Sequence, residues 1–189
     1  MVLALYFEIN WRCTSHKDLT VRLFRLTLFG FLVCCLGATS GVLAAPAYPP
    51  SRPALSVQLN DGHSINLSLN DLTSMPKRVL TTSEPNDSTV VEWTGVDLGY
   101  LLTHLNIAPD SYSYLRLDAL NMYSVMVPRE DIQRFNPIIA YLRNGKSMPI
   151  SEYGPLYLIY PFDLFPELNA QVYFNRSIWQ LSKISLINE

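Results

Sequence analysis

All three cysteines of this 189-residue chain, Cys13, Cys34 and Cys35, fall within its first 35 residues. Whatever folds beyond them must do so without a disulfide and without a thiolate-bound metal. From Ala45 onward only His63 and His104 remain as imidazoles. A structural zinc site draws on four Cys or His ligands, so none can be assembled there. Stability has to come from apolar burial, and the roughly 145 residues after Ala44 suffice for one domain around a single core.

The cysteine-bearing stretch reads as a targeting segment. Arg22 and Arg25 form a basic region, Leu26 to Leu36 an apolar run, and Val42-Leu43-Ala44 a small-residue cleavage site. The apolar run falls short of the roughly 20 residues needed to span a bilayer. Residues 1–44 are therefore expected to be a cleaved signal peptide and residues 45–53, rich in proline and alanine, a flexible leader. Residues 54–189 form the expected domain. From Ala45 onward, ten Lys or Arg stand against fourteen Asp or Glu. That mildly acidic balance offers no electrostatic footprint for nucleic acid.

Leu55–Leu59 and Ser64–Leu69 alternate apolar and polar residues around Asp61-Gly62, a hairpin signature. A short helix at Asn70–Ser74 follows, with Asn70 as the expected N-cap. Val79–Thr82 and Val90–Trp93 read as strands flanking a polar loop. In the helix expected at Asp97–Asn106, Leu98, Leu101, Leu102 and Leu105 share one face. Strands are expected at Tyr114–Leu117 and Ser124–Val127, then a helix at Arg129–Phe135. There Glu130 and Asp131 suit the positive end of the helix dipole, on a solvated face. Asn144-Gly145 marks a hairpin between Ile138–Leu142 and Lys146–Met148. Leu156–Tyr160 reads as a buried strand and Lys183–Ile187 as a further one. Short strands with helices between them define a β-rich α+β domain.

Nucleophile elbows, P-loops and dinucleotide fingerprints are absent from the sequence. The chemically distinctive feature is a density of phenol, amide and aromatic groups. Asn121 and Tyr123 lie between two strands. Tyr160, Phe162 and Asp163 follow the buried strand, and Arg176 and Trp179 come after them. Planar hydrogen-bonding ligands such as pterins need an aromatic surface, donors and acceptors at the ring edge, and a carboxylate for an amino-pyrimidine edge. Loops at strand ends on a rigid sheet can supply such a pocket.

These residues also carry a resemblance. Trp93-Thr94-Gly95-Val96-Asp97-Leu98 with Leu101-Leu102 is similar to the F/W-x-G-V-x-L-x-x-L-L segment of sulfite-oxidase-fold, molybdopterin-binding domains. Ala119-Leu120-Asn121-Met122-Tyr123 resembles that family's A-L-N-D-Y segment. Val127-Pro128, Asn144-Gly145, Gly154-Pro155-Leu156 and Tyr160-Pro161 follow in order, and Arg176 to Leu181 resembles R-S-x-W-Q-L. The resemblance covers the chain from about Leu55 onward and implies a single sulfite-oxidase-like domain.

The departures shape what it implies about function. Catalytic members hold molybdenum through a cysteine in a segment that falls near Thr81–Ser83, and this chain offers only hydroxyls there, hard ligands for a metal that takes a soft thiolate. Basic residues common in small relatives are replaced by Ser151 and Tyr153, which weakens a site for a phosphate tail. Arg22 and Arg25 are separated by Leu23 and Phe24, unlike the twin arginines of signals that export folded molybdoenzymes. The resemblance thus implies a periplasmic, non-catalytic protein that binds a metal-free pterin and regulates a membrane cyclic-dinucleotide signalling enzyme through its periplasmic sensor domain. The expected ligand-binding residues are Thr82, Asn121, Tyr123, Tyr160, Asp163, Arg176 and Trp179. Trp179 or Tyr160 would stack on the ring, and Asn121 and Asp163 would bond its edges. The alternatives are a molybdopterin-dependent oxidoreductase with an unusual ligand set, and a ligand-free interaction domain in which Met122 and Tyr153 fill the old pocket.

Overall fold

A computed structural model of the protein describes residues 47–188. The expected signal peptide, residues 1–44, and the start of the leader lie outside them. The elements, in chain order, begin with β1 (Pro53–Gln58), β2 (Ser64–Ser68), α1 (Leu69–Ser74), β3 (Arg78–Ser83), β4 (Val90–Asp97) and α2 (Leu98–His104). They continue with β5 (Tyr114–Ala119), β6 (Ser124–Pro128), α3 (Arg129–Phe135), β7 (Ile138–Arg143), β8 (Lys146–Ser147) and β9 (Tyr157–Ile159). Two 3₁₀ turns, Phe162–Leu164 and Pro166–Leu168, lead into α4 (Gln171–Arg176) and β10 (Leu181–Ile187).

The strands form two sheets. One runs β2-β1-β10-β5-β6 and the other β3-β4-β7-β8, with β9 also paired to β7. Every pairing is antiparallel except β1 with β10, where Val57 sits opposite Ile184. The main core draws on both sheets: Leu55, Leu115, Leu117 and Ile184 from the first, Val96, Ile139 and Leu158 from the second. Leu98, Leu101 and Leu102 of α2 complete it, the apolar stripe read from the sequence. Because successive strand residues point to opposite faces, the other face of the second sheet carries a separate buried cluster. That cluster contains Leu80, Trp93, Ile138, Tyr157 and Ile159.

Local chemistry explains most element boundaries. Ser68, rather than Asn70, caps α1. Its Oγ accepts from the Asp71 backbone N–H at 3.2 Å, and the Asp71 carboxylate accepts from the Ser68 N–H at 2.8 Å, a reciprocal capping box. Asp97 precedes α2 without capping it by side chain, because its carboxylate accepts from Arg78 Nη1 at 2.6 Å. Asn144 and Gly145 adopt φ of 49° and 72°, the two positive values that the β7–β8 hairpin requires. The described part of the leader is tied down. Tyr48 Oη donates to the Pro53 carbonyl at 2.5 Å, and the Asn70 N–H donates to the Pro50 carbonyl at 3.0 Å.

Two further expectations change. Asp131 is only 6% exposed, since it shares the inner face of α3 with Ile132 and Phe135. Helix α4 was not anticipated: it buries no residue and lacks a side-chain N-cap, so little in its sequence announces it.

Gly95 stands where β4 crosses β7 at a register shift. A β-carbon there would lie 2.2 Å from the Ile139 carbonyl oxygen, a backbone atom that cannot swing aside. Gly95→Ala should therefore destabilise the domain by about 1–3 kcal/mol or more, the cost of overpacking a close contact. Urea unfolding of the variant beside the native chain checks this, and an unchanged midpoint would contradict the close approach.

Candidate functional site

The expected site residues divide into three groups around α4. Asn121, Tyr123 and Trp179 come together on one side of it. With Phe174, Asn175 and Ser177 they line a cleft of about 330 Å³. That volume sits at the small end of the roughly 300–1,000 Å³ typical of ligand sites. No lining side chain is ionisable near neutral pH, so the cleft is uncharged, aromatic and amide-rich. Asn121 Oδ1 accepts from the Tyr123 N–H at 3.0 Å, which stabilises the turn where Met122 takes φ 67°. Tyr123 Oη donates to the Asn175 carbonyl at 3.1 Å and joins that turn to α4. Trp179 leaves 40% of its surface exposed and meets Tyr153 edge-on at 6.4 Å.

Asp163 lies in a second cleft of about 520 Å³, which shares Phe174 with the first. Ser83, Glu84, Asp87 and Asn169 also line it, giving an acidic character. Its carboxylates are internally engaged. Asp163 accepts from the Ser83 N–H at 3.0 Å and from Ser83 Oγ at 2.6 Å. Asp87 Oδ1 accepts from the Thr89 N–H and hydroxyl, both at 3.0 Å. Glu84 accepts a two-pronged bond from Arg143 at 3.0 and 3.1 Å, and that bond raises the Arg143 pKa further. Thr82 does not reach either cleft. It is fully buried, and its hydroxyl accepts from the Asp163 N–H at 3.1 Å, anchoring the 162–164 turn to β3.

Tyr160 and Arg176 make the third group, together with a residue the sequence reading missed. Tyr160 cannot stack on a ligand, because it has no exposed surface and its ring packs against Phe135, Phe162 and Tyr173. Its hydroxyl donates to Asp131 Oδ2 at 2.9 Å, and Arg176 Nη1 donates to the same oxygen at 2.7 Å. The Arg176 guanidinium also lies 5.5 Å from the Tyr173 ring centroid. The inward phase of α3, which places Asp131 beside Ile132 and Phe135, was the signal that could have located this carboxylate. Phe174, Asn175 and Ser177 were missed because α4 itself was not foreseen. Among the described residues, no group of three or more His, Cys, Asp or Glu is arranged to hold a metal ion.

No protein-family model matches this chain, and no curated protein matches it. Its architecture is nonetheless known among solved structures. It is similar to the sulfane dehydrogenase SoxCD from Paracoccus pantotrophus, with a TM-score of 0.57 and 14% identity over 77% of this chain. The match takes in 41% of that protein, so this chain spans less than half its length. At that identity the likeness establishes the fold alone. It is the β-rich, sulfite-oxidase-like α+β fold expected from the sequence motifs.

Burial first, and then the Asp131 charge, hold the Tyr160 hydroxyl well above the ordinary tyrosine pKa of 10.0. Burial raises Tyr157 as well. A group whose pKa is higher in the folded than in the unfolded chain contributes stability that is whole below the unfolded value and is lost as pH rises past it. Folding stability should therefore fall above pH 10, and Tyr160→Phe should flatten that fall. Urea midpoints at neutral pH and above pH 10 provide the check. An unflattened fall in the variant would place the effect on other tyrosines.

Proposed function

We propose that this protein is a non-catalytic binding module for a metal-free pterin, exported to the periplasm, where it reports to the sensor domain of a membrane cyclic-dinucleotide signalling enzyme. The observation that carries the ligand reading is the uncharged cleft at Trp179. A partly exposed indole, a phenol ring and two amides suit a flat heterocycle with donors and acceptors on its rim. In this reading Trp179 supplies the stacking surface, and Asn121 and Asn175, which line the same cleft, bond the ring edges. The export and partner assignments rest on the sequence resemblance and on the basic, apolar and small-residue order of residues 22–44.

A thiolate-ligated molybdenum cofactor does not fit the residues present. In the segment that resembles the metal-binding stretch, Thr82 Oγ1 and Ser83 Oγ are both bonded to Asp163. The adjoining cleft presents Glu84, Asp87 and Asp163, which would repel the phosphate of a molybdopterin tail. A phosphate-free ligand meets neither obstacle. Met122 and Tyr153 do not fill the cleft either. Met122 is 91% exposed, and Tyr153 stacks on Tyr157 at 5.5 Å.

The fold likeness to a dehydrogenase keeps an oxidoreductase as the second reading. Native mass spectrometry with fluorescence and elemental analysis, on protein isolated from its own cells, separates the two. A bound species with pterin emission and no molybdenum is the expected result, and stoichiometric molybdenum would establish the oxidoreductase. A bare chain that ignores added reduced pterins would leave an interaction domain. In titrations with a reduced pterin, Trp179→Ala should weaken binding by about 1 kcal/mol, roughly fivefold, through loss of the stacking face.

A further inference from the structure

Helix α4 is the wall of the uncharged cleft, yet it contributes no buried residue of its own. Six residues without a side-chain cap are too few to persist as an isolated helix. Its attachment to the body comes from the partly buried Tyr173 and Phe174, which pack against the main core, and from the polar contacts of Arg176. Phe174, Asn175 and the following Ser177 face the cleft. Arg176, set among them, turns away and reaches Asp131 on α3 at 2.7 Å. Tyr160, from beyond β9, donates to the same carboxylate oxygen at 2.9 Å. Three separate parts of the chain thus converge on one buried acceptor.

We infer that the Asp131–Tyr160–Arg176 triad positions the α4 wall against Trp179, and that the Tyr160 hydroxyl, as distinct from its ring, acts on the cleft only through this ion pair. Tyr160 aligns Asp131, Asp131 holds Arg176, and Arg176 sets where Phe174, Asn175 and Ser177 stand. All three are positioning residues. The consequence for affinity rests on the pterin reading given above; the consequence for the wall does not. A buried pair of this kind is sensitive to loss of one partner, because the remaining charge is left without compensation.

The test uses the full chain labelled with 5-fluorotryptophan, whose ¹⁹F resonances are assigned by Trp93→Phe and Trp179→Phe. Trp93 is fully buried in the other apolar cluster and serves as an internal reference for global loosening. Tyr160→Phe and Asp131→Asn should each shift or broaden the Trp179 resonance while leaving that of Trp93 in place. The double variant should match Asp131→Asn alone, since Tyr160→Phe keeps the ring contact with Tyr173 and removes only the hydroxyl, whose bond is to Asp131. Arg176→Lys, which keeps the cation but not the planar reach, should give an intermediate shift. Affinity for a reduced pterin should fall about tenfold in Tyr160→Phe, the scale of a lost hydrogen bond to a charged group. An unmoved Trp179 resonance, equal movement of Trp93, or additive effects in the double variant would overturn the inference. If the native chain binds no pterin, the ligand reading fails and the resonances alone decide the role of the triad. If the native chain binds and Tyr160→Phe binds equally well, the ligand reading stands and the triad inference falls.

Discussion

Taking the Asp131 carboxylate out of water carries a desolvation cost of several kcal/mol, which only good geometry and further hydrogen bonds offset. Here the Arg176 guanidinium and the Tyr160 hydroxyl meet that need on a single oxygen. The arrangement explains why α3, the end of the β9 strand and α4 come together as they do. Phe135, Phe162, Phe165 and Tyr173 enclose the polar group with edge and tilted ring contacts. Replacing such a pair with apolar residues often preserves or raises stability. Its retention in this chain is therefore better understood as fixing one arrangement of the cleft side than as contributing net stability.

The two clefts on either side of Phe174 differ in chemistry although they share that ring. The acidic one belongs to the β3–β4 loop, where Glu84 is held by Arg143 and Asp87 by Thr89. Its carboxylates largely stabilise the loop and the 162–164 turn. The uncharged one is lined by aromatic and amide groups, and Asn121, Tyr123, Asn175 and Ser177 each spend part of their hydrogen-bonding capacity on the protein. Structural charge and uncharged cleft surface are thus kept apart.

The sheet elements and α2 were legible because their signals are periodic: alternation in β1 and β2, and the leucine stripe in α2. The Asn144-Gly145 hairpin was legible because few residues other than Asn and Gly tolerate its backbone. Of the seven residues expected in one ligand pocket, Asn121, Tyr123 and Trp179 line one cleft and Asp163 lines another. Asp131 was misread because a carboxylate in the first turn of a helix suits the dipole whether it faces water or the core, and only tertiary packing decides between them. Tyr160 was offered beside Trp179 as a stacking ring for a related reason, since a phenol can serve as an exposed ring or as a buried donor. Thr82 and Asp163 were read as separate ligand contacts, whereas they bond to each other across 81 residues of sequence. No local pattern reports a pairing of that range.

The single parallel pairing in the first sheet has a consequence for how the chain acquires its structure. Gln58 of β1 and Ser185 of β10 are partners although 127 residues separate them. The β1–β2 and β5–β6 hairpins can each form locally, but β10 is the strand that lies between them and joins them. Until it is available, the sheet exists only as two pieces with unpaired edges. Such long-range closure slows folding, because the entropy of bringing distant segments together must be spent before their contacts are made. A nascent chain therefore keeps these two pieces apart until β10 has been made, and the first sheet closes late in synthesis.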